Sequence, residues 1–158
     1  GLCSYLRERM GCLVIDAGGF PNPRFLVELE SLVDEVLVVT DQSMGALVSL
    51  AEFMALRAQF DALANVRLVV NQFDPAYGFS GQAIAERFDL DLAAVLPDRR
   101  LGHMRSASLG KILVQVDEKD PYTRALQSLA SGLAGRRQGL SQNKVSTVLG
   151  RLKFRFGG

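Results

Sequence analysis

Two strand ends hold the residues best suited to chemistry. The apolar run Cys12-Leu13-Val14-Ile15 closes on Asp16, and Ala17, Gly18 and Gly19 follow. A carboxylate at a strand end can hold Mg²⁺, which takes one or two carboxylates and leaves its other positions to phosphate and water. Gly18 and Gly19 offer backbone N–H groups that a terminal phosphate can approach without a side chain in the way. The plainer alternative, that Asp16 caps the helix after Pro21, carries equal weight on spacing alone. The second strand end is Asn71, closing Arg67-Leu68-Val69-Val70. Its amide both donates and accepts, matching the edge of a purine base, although asparagine often bonds its own loop backbone instead. Asp74-Pro75 beyond it predicts a turn that fixes the loop.

Two further clusters follow apolar runs. The backbone of Pro97-Asp98-Arg99-Arg100 can line a base pocket, and the arginines can reach phosphate or a second subunit or simply be solvated. Thr40-Asp41-Gln42-Ser43 is accounted for mainly by helix capping. His103, the single histidine, has no nucleophile elbow or paired cysteine in the sequence, which leaves a hydrolase triad without support and makes it a surface residue. No CxxC pair or HExxH motif suggests a transition-metal centre. A glycine-rich loop carrying Lys-Ser or Lys-Thr is missing from the 158 residues.

These clusters need elements to position them. Strands are predicted near 11–16, 35–40, 66–71 and 92–97, each apolar on both faces, as in parallel sheets covered by helices above and below. Helical patterns lie between: one after Pro21 and Pro23 through Phe25, Leu26, Leu29, Leu32 and Val33, and one capped by Ser43 that turns Leu47, Leu50, Ala51, Met54 and Phe60 inward and ends near Asn65. Ser80 opens a third through Ile84 and Phe88, and a fourth runs from about Pro121 to Leu133. The stretch Leu101–Gly110 reads as flexible. The alternation predicts an α/β fold, a doubly wound, mostly parallel sheet with flanking helices and right-handed crossovers. Ligands of such sheets sit beyond the carboxyl ends of the strands, where Asp16, Asn71 and Pro97 fall.

Composition suits one ordinary globular domain, with 48% hydrophobic and 22% charged residues. The net charge of +1 conceals an asymmetry: residues 136–158 carry six Lys or Arg and no acid, leaving residues 1–135 at −5. Glycines around 135–139 mark the only plausible boundary. Cys3 and Cys12 are the two cysteines, and a disulfide framework is not expected. With no span of roughly 18 apolar residues and no signal peptide, a cytoplasmic protein is expected. The start at Gly1, already in a helical pattern, reads as that of a fragment or processed product. In the tail, Val145, Val148, Leu149, Leu152 and Phe156 fall at helical spacing with Lys144, Arg151, Lys153 and Arg155 among them. A basic amphipathic helix of this kind suits an anionic bilayer surface. A helix packed back on the body, a frayed end and a nucleic-acid contact are the alternatives.

In order, LVIDAGG, DEVLVVTDQS, VRLVVNQFDP and AVLPDRRLGHMRSASLGKIL resemble the second half of the MinD/ParA-type ATPases with the deviant Walker A loop. Within them, VNQFDP followed by GFSGQAIAERFDL is similar to the CpaE/TadZ branch associated with Flp-type (Tad) pilus assembly. The likeness covers about residues 10–135, so that residues 1–135 read as the C-terminal part of a nucleotide-binding domain and 136–158 as its basic tail. The resemblance implies a P-loop NTPase fold of the SIMIBI/MinD-like type that binds ATP and Mg²⁺. Asp16 then matches the Walker B aspartate that holds the metal, Gly19 the glycine near the γ-phosphate, Asn71 the base-contacting asparagine, and Pro97 with Asp98 the loop beside the adenine. It further implies a homodimer, partners in pilus or secretion machinery, and peripheral attachment to the inner face of the membrane at the cell pole.

The family's phosphate loop and signature lysine lie upstream of a Walker B strand. A weak ATPase is expected only where that loop is present, and these residues alone should not hydrolyse ATP, because nothing else neutralises the charge developing on the transferred phosphate. The missing strand would also leave an apolar slot beside Asp16. The rival functions are a nucleotide-independent scaffold and a ParA-like DNA-partitioning ATPase.

Overall fold

Strand–helix alternation is realised from residue 35 onward in the computed structural model, which describes residues 5, 6, 9, 10, 12–18, 29, 32–59 and 65–135. Strand β1, Glu35–Thr40, coincides with the predicted run. Ser43 caps helix α1, Met44–Arg57, its hydroxyl accepting from the Ala46 N–H at 3.3 Å. The helix stops short of its expected end near Asn65, and Asn65 instead opens strand β2, Asn65–Phe73. Val66, Val69 and Val70 favour the extended backbone there. The Ser80 hydroxyl accepts from Ala83 N–H at 3.0 Å and starts helix α2, Gly81–Arg87, which leads into strand β3, Asp91–Pro97. Helix α3, Arg100–Ser108, the short helix α4, Leu113–Val116, and helix α5, residues 121–135, follow.

The three strands lie side by side in the order β1-β2-β3, all parallel. Right-handed crossovers between successive strands put both connecting helices on one face of the sheet. The core has that form: Leu50 of α1 and Ile84 and Ala85 of α2 pack on Leu68 and Val70 of β2, with Val38, Leu47, Met54, Phe73, Phe88, Leu90 and Leu92 around them. Leu68 and Val70 are fully buried, each stabilising by roughly 1.5–3 kcal/mol. Ala51, expected to face inward, is exposed, while its neighbours Leu47 and Met54 are half-buried.

Two further expectations are corrected. Residues 12–17 belong to no strand, and Val14 is 84% exposed, so the predicted strand 11–16 is absent from the sheet. A strand apolar on both faces forms only when a neighbour satisfies its backbone, and among the described residues none pairs with this segment. Cys12 within it is an exposed free thiol. The second correction concerns Leu101–Gly110, read as flexible, most of which is helix α3. It packs through small residues: a Cβ on Gly102 would meet Leu113 at 3.3 Å, and Ser106 is buried with its hydroxyl donating to the carbonyls of Gly102 and His103. Most of the helix expected after Pro23, and the whole tail 136–158, lie outside the described residues. Among those described, no helix is long and apolar enough to cross a membrane.

Candidate functional site

The carboxyl ends of β2 and β3 are locked together. Asn71 sits where β2 breaks register with β3, the shift falling between Val70 and Phe73, and Gln72 there takes a left-handed backbone, φ +51°. A bulge of this kind bends the strand and re-aims the side chains beside it. Asn71 is half-buried, and no hydrogen bond with any described residue occupies its amide. Local loop bonding falls to Asp74 instead, whose carboxylate accepts from Ala76 N–H at 2.8 Å and starts the 3₁₀ turn Pro75–Tyr77, closed by Gly78 at φ +79°. Among the described residues, then, the loop bond expected in the alternative reading of Asn71 is not made.

The structure brings Pro97 and Asp98 beside this bulge. Pro97 pairs with Phe73, and Asp98 N–H donates to the Phe73 carbonyl at 2.9 Å. The Asp98 carboxylate is partly spent on the start of α3, accepting from Arg100 N–H at 2.9 Å. Arg100 lies 3.6 Å from it on an exposed surface, a pair of little energetic weight. Arg99 is not available for a ligand in the way its loop position suggested. Its guanidinium binds the buried Asp120, at 2.8 Å from Nε and 2.7 Å from Nη2. Burial alone would raise the Asp120 pKa, but the Arg99 hydrogen bond, the Tyr122 N–H and the nearby charges of Arg99 and His103 outweigh it and hold the carboxyl below its usual value. His103 is exposed, as expected of a surface residue, and its ring meets Tyr122 edge-on at 4.6 Å.

Sequence reasoning missed the residue that ties β1 to this rim. Gln42, which the sequence assigns mainly to capping and otherwise only to support behind the site, is 8% exposed. Its Oε1 accepts from Asp74 N–H at 2.8 Å and its Nε2 donates to the Phe79 carbonyl at 2.7 Å. The only local signal was a glutamine just before a helix cap, and its partners lie 32 and 37 residues away.

The Asp16 segment pairs with no strand among the described residues. Asp16 is exposed, and its Oδ1 accepts from the N–H of Gly18, which is left-handed at φ +55°. The Gly18 N–H is thus engaged by Asp16 itself, and Gly19 lies outside the described residues. Among the described residues no group of three or more His, Cys, Asp or Glu could hold a metal ion. One carboxylate still fits Mg²⁺ whose other positions are filled by phosphate and water, and the unspent amide of Asn71 fits a purine edge. Asp16 for a metal ion, and Asn71 with the backbone at Pro97 and Asp98 for a base, are the groups whose chemistry suits such ligands.

No protein-family model and no curated protein sequence matches the chain. Several solved structures do. MinD from Pyrococcus horikoshii OT3, complexed with Mg-ADP, aligns with a TM-score of 0.65 at 18% identity over 84% of this chain and 54% of that one. The MinC:MinD cell division protein complex of Aquifex aeolicus aligns at 0.57 and 20% identity, over 66% and 44%. A ParA family ATPase from Chlorobium tepidum TLS aligns at 0.55 and 16% identity, over 68% and 44%. The chain spans about half the length of the structures it matches. With its parallel sheet and flanking helices, it has the α/β fold of the MinD/ParA-type P-loop NTPases.

Proposed function

We propose that the chain is the base- and partner-binding part of a MinD/ParA-like ATP-binding protein of the CpaE/TadZ kind, which localises or assembles a Flp/Tad-type pilus or secretion apparatus by dimerising around nucleotide. The observation that carries this reading is the half-buried, unspent amide of Asn71, set on a bulge and flanked by the Pro97–Asp98 backbone. Asp16 holds Mg²⁺ in this reading, and Gly18 and Gly19 face the terminal phosphate once Gly18 N–H is released from the carboxylate. A strand from outside the described residues, carrying the phosphate loop, pairs with the outer side of β1 and gives residues 12–17 a neighbour. ATP turnover, if any, depends on that loop. The tail, through Lys144, Arg151, Lys153 and Arg155, holds the protein at the inner face of the membrane.

Titration of the full-length protein with ATP and Mg²⁺ tests the nucleotide reading. Saturable binding that weakens about tenfold or more in Asn71→Ala, and loses its Mg²⁺ dependence in Asp16→Ala, is expected. Binding indifferent to both substitutions, or none, would remove it. Liposome flotation and DNA shift assays with and without residues 136–158 decide what the tail binds. The second reading, a nucleotide-independent scaffold, is favoured by one observation, that Asp16 and Gly18 are already bonded to each other. Absence of ATP binding with pilus-partner binding intact would establish it.

A further inference from the structure

Gln42 occupies an unusual position. The Phe73 carbonyl and the Asp74 N–H belong to one peptide unit, two residues beyond Asn71. Asp98 N–H binds the first at 2.9 Å and Gln42 Oε1 the second at 2.8 Å, pinning this peptide plane from both sides. The other end of the same amide holds the Phe79 carbonyl, next to the Ser80 cap of α2. One buried side chain therefore clamps the loop 74–79 at both ends. Gln42 is itself held in a tight turn, because Asp41 Oδ1 accepts from Ser43 N–H at 2.7 Å just ahead of α1. A primary amide of this length can accept at one end and donate at the other.

We propose that Gln42 is the positioning residue for base recognition: by pinning the peptide after the bulge, it fixes the direction in which Asn71 presents its amide, and so sets preference for the adenine base without touching it. The inference rests on the nucleotide reading above. A positioning effect of this kind acts on the base alone and leaves the phosphates untouched. Affinities for ATP and for inorganic tripolyphosphate therefore separate it from general damage to the fold.

The test uses the full-length protein with Gln42→Met, which removes both bonds at similar volume, and Gln42→Glu, which keeps the acceptor and loses the donor. Gln42→Met is expected to weaken ATP binding about tenfold while tripolyphosphate binding is unchanged, with Gln42→Glu falling between. In the chain itself, hydrogen exchange at the Asp74 amide should quicken in Gln42→Met and less in Gln42→Glu, whether or not nucleotide binds. Equal losses for ATP and tripolyphosphate, or no loss for either, would overturn the role of Gln42 and leave the nucleotide reading standing. No ATP binding by the wild type would overturn that reading, and the base-selection role with it, whatever the exchange data give.

Discussion

At the scale of single residues, strain and charge are concentrated near the strand ends. Gln72 holds a left-handed backbone that costs a side-chain-bearing residue roughly 1–2 kcal/mol. Gln72→Gly should therefore raise stability by about 1 kcal/mol in urea unfolding, and the β-branched Gln72→Val should lower it by at least as much. Asp120 gives a pH-dependent counterpart. Its folded pKa lies below the ordinary value, so its contribution is complete above the unfolded pKa of about 3.9 and disappears as pH falls through the lower folded value. Thermal melts from pH 7 to pH 2 should show the wild type losing stability below about pH 4. Asp120→Asn should be less stable at pH 7 by about 1–3 kcal/mol, because a neutral amide pairs more weakly with the Arg99 guanidinium, and its acid limb should be flatter.

At the scale of elements, close approach between α2 and the sheet depends on Gly81. A Cβ there would stand 2.5 Å from Val95 Cγ2 and 3.6 Å from both Leu92 and Val70, inside the packed face. Gly81→Ala should cost about 1–3 kcal/mol, read as a shift in urea midpoint without a change of slope. A neutral result would mean that α2 can slide away from β3 at little cost. The elements that were legible in the sequence are those with local causes. Ser43 and Ser80 announce their helices because a hydroxyl before a helical run meets N–H groups only three residues on. Strand β1 was visible as a bounded apolar run. What failed was non-local. Residues 12–17 carry a strand's composition, but pairing depends on a neighbour that no local pattern encodes. Helix α3 escaped because it faces inward through half-buried Gly102 and buried Ser106, small residues four apart that make no apolar stripe. Asn71, Pro97 and Asp98 were legible as neighbours once the strand order was assumed, whereas the Gln42 clamp joins loops far apart in sequence.

At the scale of the whole molecule, the described sheet is three strands wide and grows in one direction, from β1 to β3. β2, flanked on both sides, is buried from Val66 to Val70, whereas β1 is mostly half-buried and Val39 on it is 61% exposed. The outer side of β1 has no strand partner among the described residues. An edge left without a strand partner, beside an exposed valine, can accept an extended segment that reaches it, including the same segment of another molecule. Produced on its own, this polypeptide should therefore clump as concentration rises, and Val39→Lys should keep it dispersed in light scattering while barely moving its melting temperature. Uniform single particles from the unmodified polypeptide at high concentration would contradict this. The margin that would let a completing strand join is also where the wrong one can take hold, which makes early burial of that margin a condition for productive folding in the cell.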